Sequence, residues 1–153
     1  MRNKMLIIIG AIVVLFAALY FVIDFKNSEA LEDNPYGKED LHQATIDQIG
    51  DPLYDNQIVP EELNEKIGSG EPVTVYYYSP TCPYCLNTTP KLVPITEELG
   101  IDMKKLNLLE FDNPNIESTP TLVHYEDAEE VARLEGEKSE EEYREFFEEY
   151  VLN

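Results

Sequence analysis

Cys82 and Cys85 are the only cysteines in this 153-residue chain, and two residues, Pro83 and Tyr84, separate them. On a helix this spacing puts both thiols on one side, one turn apart and within disulfide reach. A thiol attacks a disulfide as its thiolate, and the unpaired N–H groups and dipole of a helix N-terminus lower a thiol's pKa. A helix beginning at Cys82 would therefore make Cys82 the nucleophile. Cys85 would then resolve the mixed disulfide that Cys82 forms. Pro83 needs no N–H partner and suits a first helical turn; with Tyr84 it is expected to tune the redox chemistry. Three alternatives compete with a redox dithiol, the weakest being a pair of unreacted buried thiols. A zinc site wants four ligands, and only His42 and His124 could join the pair. An inert disulfide would close too short a loop to stabilise much. No metal and no organic cofactor are expected.

The elements around the pair must hold it at a chain reversal. Val73–Tyr78 is a β-branched and aromatic run, the pattern of a buried strand, and Ser79-Pro80 ends it. A helix from Cys82 to about Leu99 follows. Upstream, Glu39 to Ile49 suggests a short helix, Gln57 to Val59 a short strand, and Pro60 to Ile67 a helix stopped by Gly68-Ser69-Gly70. Downstream, Met103 to Leu109 reads as a second strand and Phe111 to Ile116 as a turn-rich connection. Thr121 to Tyr125 and Glu130 to Leu134 read as a hairpin. Ser139 and Glu142 have the spacing of a capping box opening a last helix to Leu152. Tyr143, Phe146, Phe147 and Tyr150 form one apolar stripe on it, the pattern of a core face. Strands alternating with helices and closing on a hairpin predict an α/β domain: a mixed central sheet with helices on both faces.

The N-terminus has a different composition. Met5 to Ile23 carries no charge and as a helix would span roughly 28 Å, close to the hydrocarbon thickness of a bilayer. Arg2 and Lys4 precede it, so the positive-inside rule leaves residues 1–4 in the cytoplasm and exports the rest. A cleaved signal peptide is the alternative, with Ser28-Glu29-Ala30 as its best cleavage site; the long apolar run favours an anchor. Residues 24–40 read as a polar tether and 41–153 as the folded domain. The formal charge is −20, and all the acidic residues follow the apolar run. Such a body argues against nucleic acid or an anionic membrane surface as a partner; solubility is the plain reading of the acidity, and a dedicated basic partner is the alternative. Outside the membrane, a dithiol meets oxidising conditions.

From about Asp55 to Leu152 the chain resembles the thioredoxin family. The resemblance rests on strand, Cys82-Pro83-Tyr84-Cys85 and helix in order, with Pro90 placed as a kinking helix proline. It continues through Lys105-Leu106-Asn107-Leu108, Ile116-Glu117-Ser118-Thr119-Pro120-Thr121-Leu122, a hairpin and a terminal amphipathic helix. It implies a cis Pro120 beside Cys82 and a Thr119 backbone that pairs with an extended substrate segment. It also implies disulfide exchange with exported cysteine-containing proteins, and a redox partner that supplies or accepts electrons. Two departures stand out. Thr81 replaces the usual tryptophan, and Tyr76 replaces a buried aspartate that helps deprotonate the resolving thiol. Lys105, that aspartate's usual partner, is expected behind the pair, where it would favour thiolate. The Cys-Pro-Tyr-Cys tetrad itself resembles glutaredoxins, while membrane-tethered thioredoxin-like proteins of Gram-positive bacteria, bacteriocin-transport accessory proteins among them, are a closer likeness. A non-catalytic accessory protein that binds extended peptides beside Thr119 and Pro120 is the alternative function.

Overall fold

A computed structural model describes residues 2–153, which form two compact units meeting at Asp40 and Leu41. The first is dominated by one helix, α1 (Arg2–Glu32), long and apolar enough to cross a membrane. It continues nine residues past Ile23, so the segment expected as a polar tether is helical through Glu32. Ala30, Leu31 and the flanking glutamates are good helix formers, and the charged side chains need only solvent on that stretch. Asn34 ends it: its Nδ2 donates to the carbonyls of Leu31, at 2.9 Å, and Lys38, at 2.8 Å. Pro35 disfavours helical backbone at the residue before it.

The second unit (Leu41–Asn153) is an α/β fold around a four-stranded sheet. Its elements in chain order are α2 (Gln43–Ile46), a 3-10 turn (Pro52–Tyr54), α3 (Pro60–Gly68), β1 (Val73–Tyr78), α4 (Pro83–Leu99), β2 (Met103–Asn107), β3 (Thr121–Glu126), β4 (Glu129–Glu135) and α5 (Glu140–Tyr150). The strand order is β2-β1-β3-β4, with β1 parallel to β2 and antiparallel to β3, and β3 antiparallel to β4. This is the mixed sheet expected. β1 is central, and all six of its residues are buried.

Alternation along β1 sorts its side chains onto two faces. Tyr76 and Tyr78 pack with Leu92, Ile95 and the α5 aromatics Tyr143 and Phe147, so α4 and α5 cover one face. Val73, Val75 and Tyr77 pack with Leu63 of α3, Leu106 and Val123 on the other. The capping box of α5 forms as expected, with Ser139 Oγ accepting from Glu142 N–H and Glu142 Oε2 from Ser139 N–H.

Three expected elements come out shorter. The strand at Gln57 to Val59 is a single bridge, Gln57 to Lys105. Asn56 before it takes a left-handed φ of 64°, and Pro60 after it has no N–H to continue a ladder. β2 stops at Asn107 rather than Leu109, because the Asn107 side chain accepts from Leu109 N–H and turns the chain. The helix expected over Glu39 to Ile49 is only α2, pinned by side chains. Glu110 Oε1 accepts from His42 N–H and Thr45 Oγ1, at 2.9 and 2.6 Å, and Asn107 Nδ2 donates to Thr45 Oγ1.

Candidate redox site

Both cysteines are free thiols at the N-terminus of α4. Ser79 and Pro80 end β1, and the chain turns there through a Cys82 N–H bond to the Ser79 carbonyl of 3.1 Å. Cys82 is then the N-cap of α4, one residue before the helix proper. In this position its Sγ accepts from the Cys85 N–H at 3.4 Å, as a capping serine oxygen would. Pro83 takes the first helical position, where a missing N–H costs nothing. Tyr84 is solvent-facing, 62% exposed.

The two thiols differ in surroundings and acidity. Cys82 is part-exposed and Cys85 fully buried. Burial opposes ionisation of Cys82, yet hydrogen bonds from the Cys85 and Thr119 side chains and from the Cys85 and Tyr84 N–H groups outweigh it. The Cys82 pKa falls below that of an ordinary thiol. Burial is the main influence on Cys85, and its hydrogen bond to Cys82 adds to it, so its pKa is pushed up. A part-exposed, acidified thiol above a buried, protonated one is the arrangement that nucleophile and resolving thiol require.

Thr119 and Pro120 complete the site from β3's end of the sheet. The Thr119–Pro120 peptide bond is cis, and the Cys82 thiol donates to the Thr119 carbonyl at 3.4 Å. The turn is fixed from below by Gly136 N–H to the Pro120 carbonyl, at 2.8 Å, and by Thr121 Oγ1 to the Ser118 carbonyl. Gly136 has a φ of +79°, a conformation that side chains resist. A groove of about 450 Å³ opens here, lined by Tyr84, Ser118, Thr119, Pro120, Gly136 and Glu137.

Tyr76 reaches the back of the helical turn. Its hydroxyl lies 3.0 Å from Thr89 Oγ1 and 3.5 Å from the Cys85 carbonyl, while Thr89 Oγ1 donates to that carbonyl at 2.9 Å. With the Thr89 proton so used, Tyr76 is the donor to Thr89. Burial raises the Tyr76 pKa far above its ordinary value, so the phenol stays protonated and cannot take a proton from Cys85.

Lys105 differs from expectation. It is buried beside Tyr76 in the β1–β2 register, but its Nζ donates to the Asp55 carbonyl at 2.7 Å. The groups that chiefly set the acidity of the two thiols are each other, Ser79, Tyr84 and Thr119 rather than Lys105. Burial lowers the Lys105 pKa, with Asp55 the leading influence against it. That bond ties the Asp55 segment to the sheet.

The histidines that a zinc reading would need are engaged elsewhere. His42 Nδ1 accepts from Ala44 N–H, and His124 sits between Thr74 and Glu126. Sequence reasoning missed Thr89, and it missed Glu137 with its ion-pair partner in α4, Lys91, whose Nζ lies 2.6 Å from Glu137 Oε1. Thr89 carried a signal, since it lies four residues after Cys85 and so on the same helix face. Glu137 carried none, because only the fold brings the end of β4 to the groove.

The thioredoxin family model matches residues 56–149. A Fasciola hepatica thioredoxin of known structure is 22% identical, with a TM-score of 0.53, 62% of this chain covered and 95% of that one. The J-Trx1 fragment of ERdj5 is 20% identical with a TM-score of 0.55; the match covers 66% of this chain but only 56% of that fragment. Both likenesses concern the fold. The family match takes in β1, both cysteines, the cis Pro120 and nearly all of α5, and this chain belongs to the thioredoxin family.

Proposed function

We propose that this protein is a membrane-anchored, extracytoplasmic thiol–disulfide oxidoreductase that exchanges disulfides with exported cysteine-containing proteins. The observation that carries this reading is the asymmetry of the pair: Cys82 part-exposed and acidified at the N-cap of α4, Cys85 buried and protonated behind it.

In the reducing direction the Cys82 thiolate attacks a substrate disulfide, its sulfur bonds to one substrate sulfur, and the other leaves as a thiolate. Cys85, losing its proton to solvent, then attacks Cys82, and the second substrate sulfur leaves. The Cys82–Cys85 disulfide forms as the substrate gains two electrons, and a partner dithiol must restore the reduced pair. In the oxidising direction a substrate thiolate attacks Cys82 of the disulfide and Cys85 leaves first. Thr119 and Pro120 position the substrate backbone across Cys82, as an added strand would lie on an edge. The fixed dipoles of the α4 N-terminus stabilise the sulfur anion at each stage. The anchor is Met5 to Ile23 within α1, with Arg2 and Lys4 on the cytoplasmic side.

Replacing Cys85 with alanine removes resolution, so substrates should accumulate as Cys82-linked species visible on non-reducing gels. An active wild type whose Cys85→Ala variant traps nothing would exclude the two-cysteine mechanism. A Cys82→Ser variant that still complements a deletion strain would favour a non-catalytic peptide-binding role. A redox titration assigns direction: a potential near −270 mV indicates a reductase and one near −120 mV an oxidase.

A further inference from the structure

We propose that the groove beside Cys82 selects partner segments that carry a basic side chain close to the reacting cysteine, and that Glu137 reads that charge. This substrate class rests on the oxidoreductase reading above and deepens it.

The groove shares Thr119 with Cys82, so a segment whose cysteine reaches Cys82 must lay its neighbours along it. Of the six side chains or backbones lining it, Glu137 alone bears a charge. Its carboxylate is held in place from α4, where Lys91 Nζ meets Oε1 at 2.6 Å. Lys91 and Asn87 keep Glu137 ionised. A carboxylate has about four lone-pair sites over two oxygens. Lys91 on Oε1 and the Asn87 hydrogen bond take up part of that capacity, and lone-pair sites remain for a second cation. Because α4 already fixes the side chain, an incoming lysine or arginine does not have to order it. Tyr84 adds an exposed aromatic face in the same groove, suited to the aliphatic stem of a basic residue or to a guanidinium over the ring. The formal charge of −20 adds a long-range attraction for such segments and repels acidic ones. That attraction has no positional preference, whereas a carboxylate fixed in the groove does, and this separates the two effects.

The test uses the full chain in neutral detergent as its Cys85→Ala variant, with short single-cysteine peptides presented as mixed disulfides with thionitrobenzoate. The Cys82 thiolate attacks the peptide sulfur and thionitrobenzoate leaves as a coloured thiolate, so release reports one step. Arginine or glutamate is placed in turn at each position flanking the cysteine. At low salt the arginine peptide should outrun its glutamate counterpart by an extra factor of roughly two to five at one or two positions, the size expected of a partly exposed ion pair. Glu137→Gln should remove that positional excess and Lys91→Gln should widen it, two changes of opposite sign. A charge preference equal at every position, or one that Glu137→Gln leaves intact, overturns the assignment of Glu137 while leaving the oxidoreductase reading in place. No release from any peptide overturns both.

Discussion

The two faces of β1 are built from different chemistry. The face toward α3 is largely aliphatic, with Val75, Leu106 and Val123 near zero exposure, and its polar contacts include the Tyr77–Tyr125 hydroxyl pair at 2.9 Å and the bond from Thr121 Oγ1 to the Ser118 carbonyl. The face toward α4 and α5 is threaded with polar contacts. Tyr76 bonds Thr89, Thr74 Oγ1 lies 2.9 Å from His124 Nδ1, and Tyr78 Oη accepts from Gln57 at 2.7 Å. Apolar area supplies stability without direction, whereas hydrogen bonds hold atoms at set distances. The comparison teaches a division of labour across one strand: both faces bury apolar side chains, and the α4 face adds hydrogen bonds, of which Tyr76–Thr89 reaches the turn behind Cys85.

The largest effect that could break this comparison comes from Leu106, buried on the α3 face. Leu106→Ala should cost about 2–5 kcal/mol of stability by denaturant titration. The pH profile of Cys82 alkylation should stay where it is in the folded variant; a displaced profile would mean that the α3 face also tunes the thiol. Tyr76→Phe is a smaller test on the opposite face. It leaves the Thr89–Cys85 bond intact and should cost only about 1 kcal/mol. It should, however, slow the resolution of a Cys82 mixed disulfide without changing Cys82 alkylation. An unchanged resolution rate would make the hydroxyl purely structural.

The smallest effect is the pH dependence of stability in the reduced protein. Folding lowers the Cys82 pKa, so Cys82 adds stability as pH rises from its folded value to about 8.5, the unfolded thiol value, and this is lost as pH falls back. Folding raises the Cys85 pKa, so Cys85 subtracts stability as pH climbs above about 8.5. Melting temperatures of the reduced wild type, measured against a Cys82→Ser, Cys85→Ala double variant, should therefore show an advantage greatest near pH 8.5. A difference that is flat with pH would refute the opposed acidities.

The core of this arrangement was legible in the sequence because local signals agreed with the global fold. The β-branched run at Val73, the proline after Cys82, the Ser139–Glu142 spacing and the aromatic stripe of α5 each point one way. What could not be read depended on distant chain segments. Lys105 was expected to act on the cysteines, but the pull of the Asp55 carbonyl depends on how the 3-10 turn lies over β2. Glu137 reaches the groove only through the β3–β4 register. The helical backbone of residues 24–32 is unreadable for another reason: charge marks where an apolar run stops, which is a different thing from where a helix stops.

Pro90 and Pro94 interrupt α4, and both lie on its solvent side. Each removes an amide donor, so the carbonyls of Leu86 and Pro90 have no partner four residues on. Because both prolines lie on the wet side, hydration can complete both carbonyls. The first turn, with its reacting sulfur, is thereby set off from the rest of the rod by a seam of solvated backbone. The buried side of the rod, with Leu92, Val93 and Ile95, stays packed against the sheet all the same.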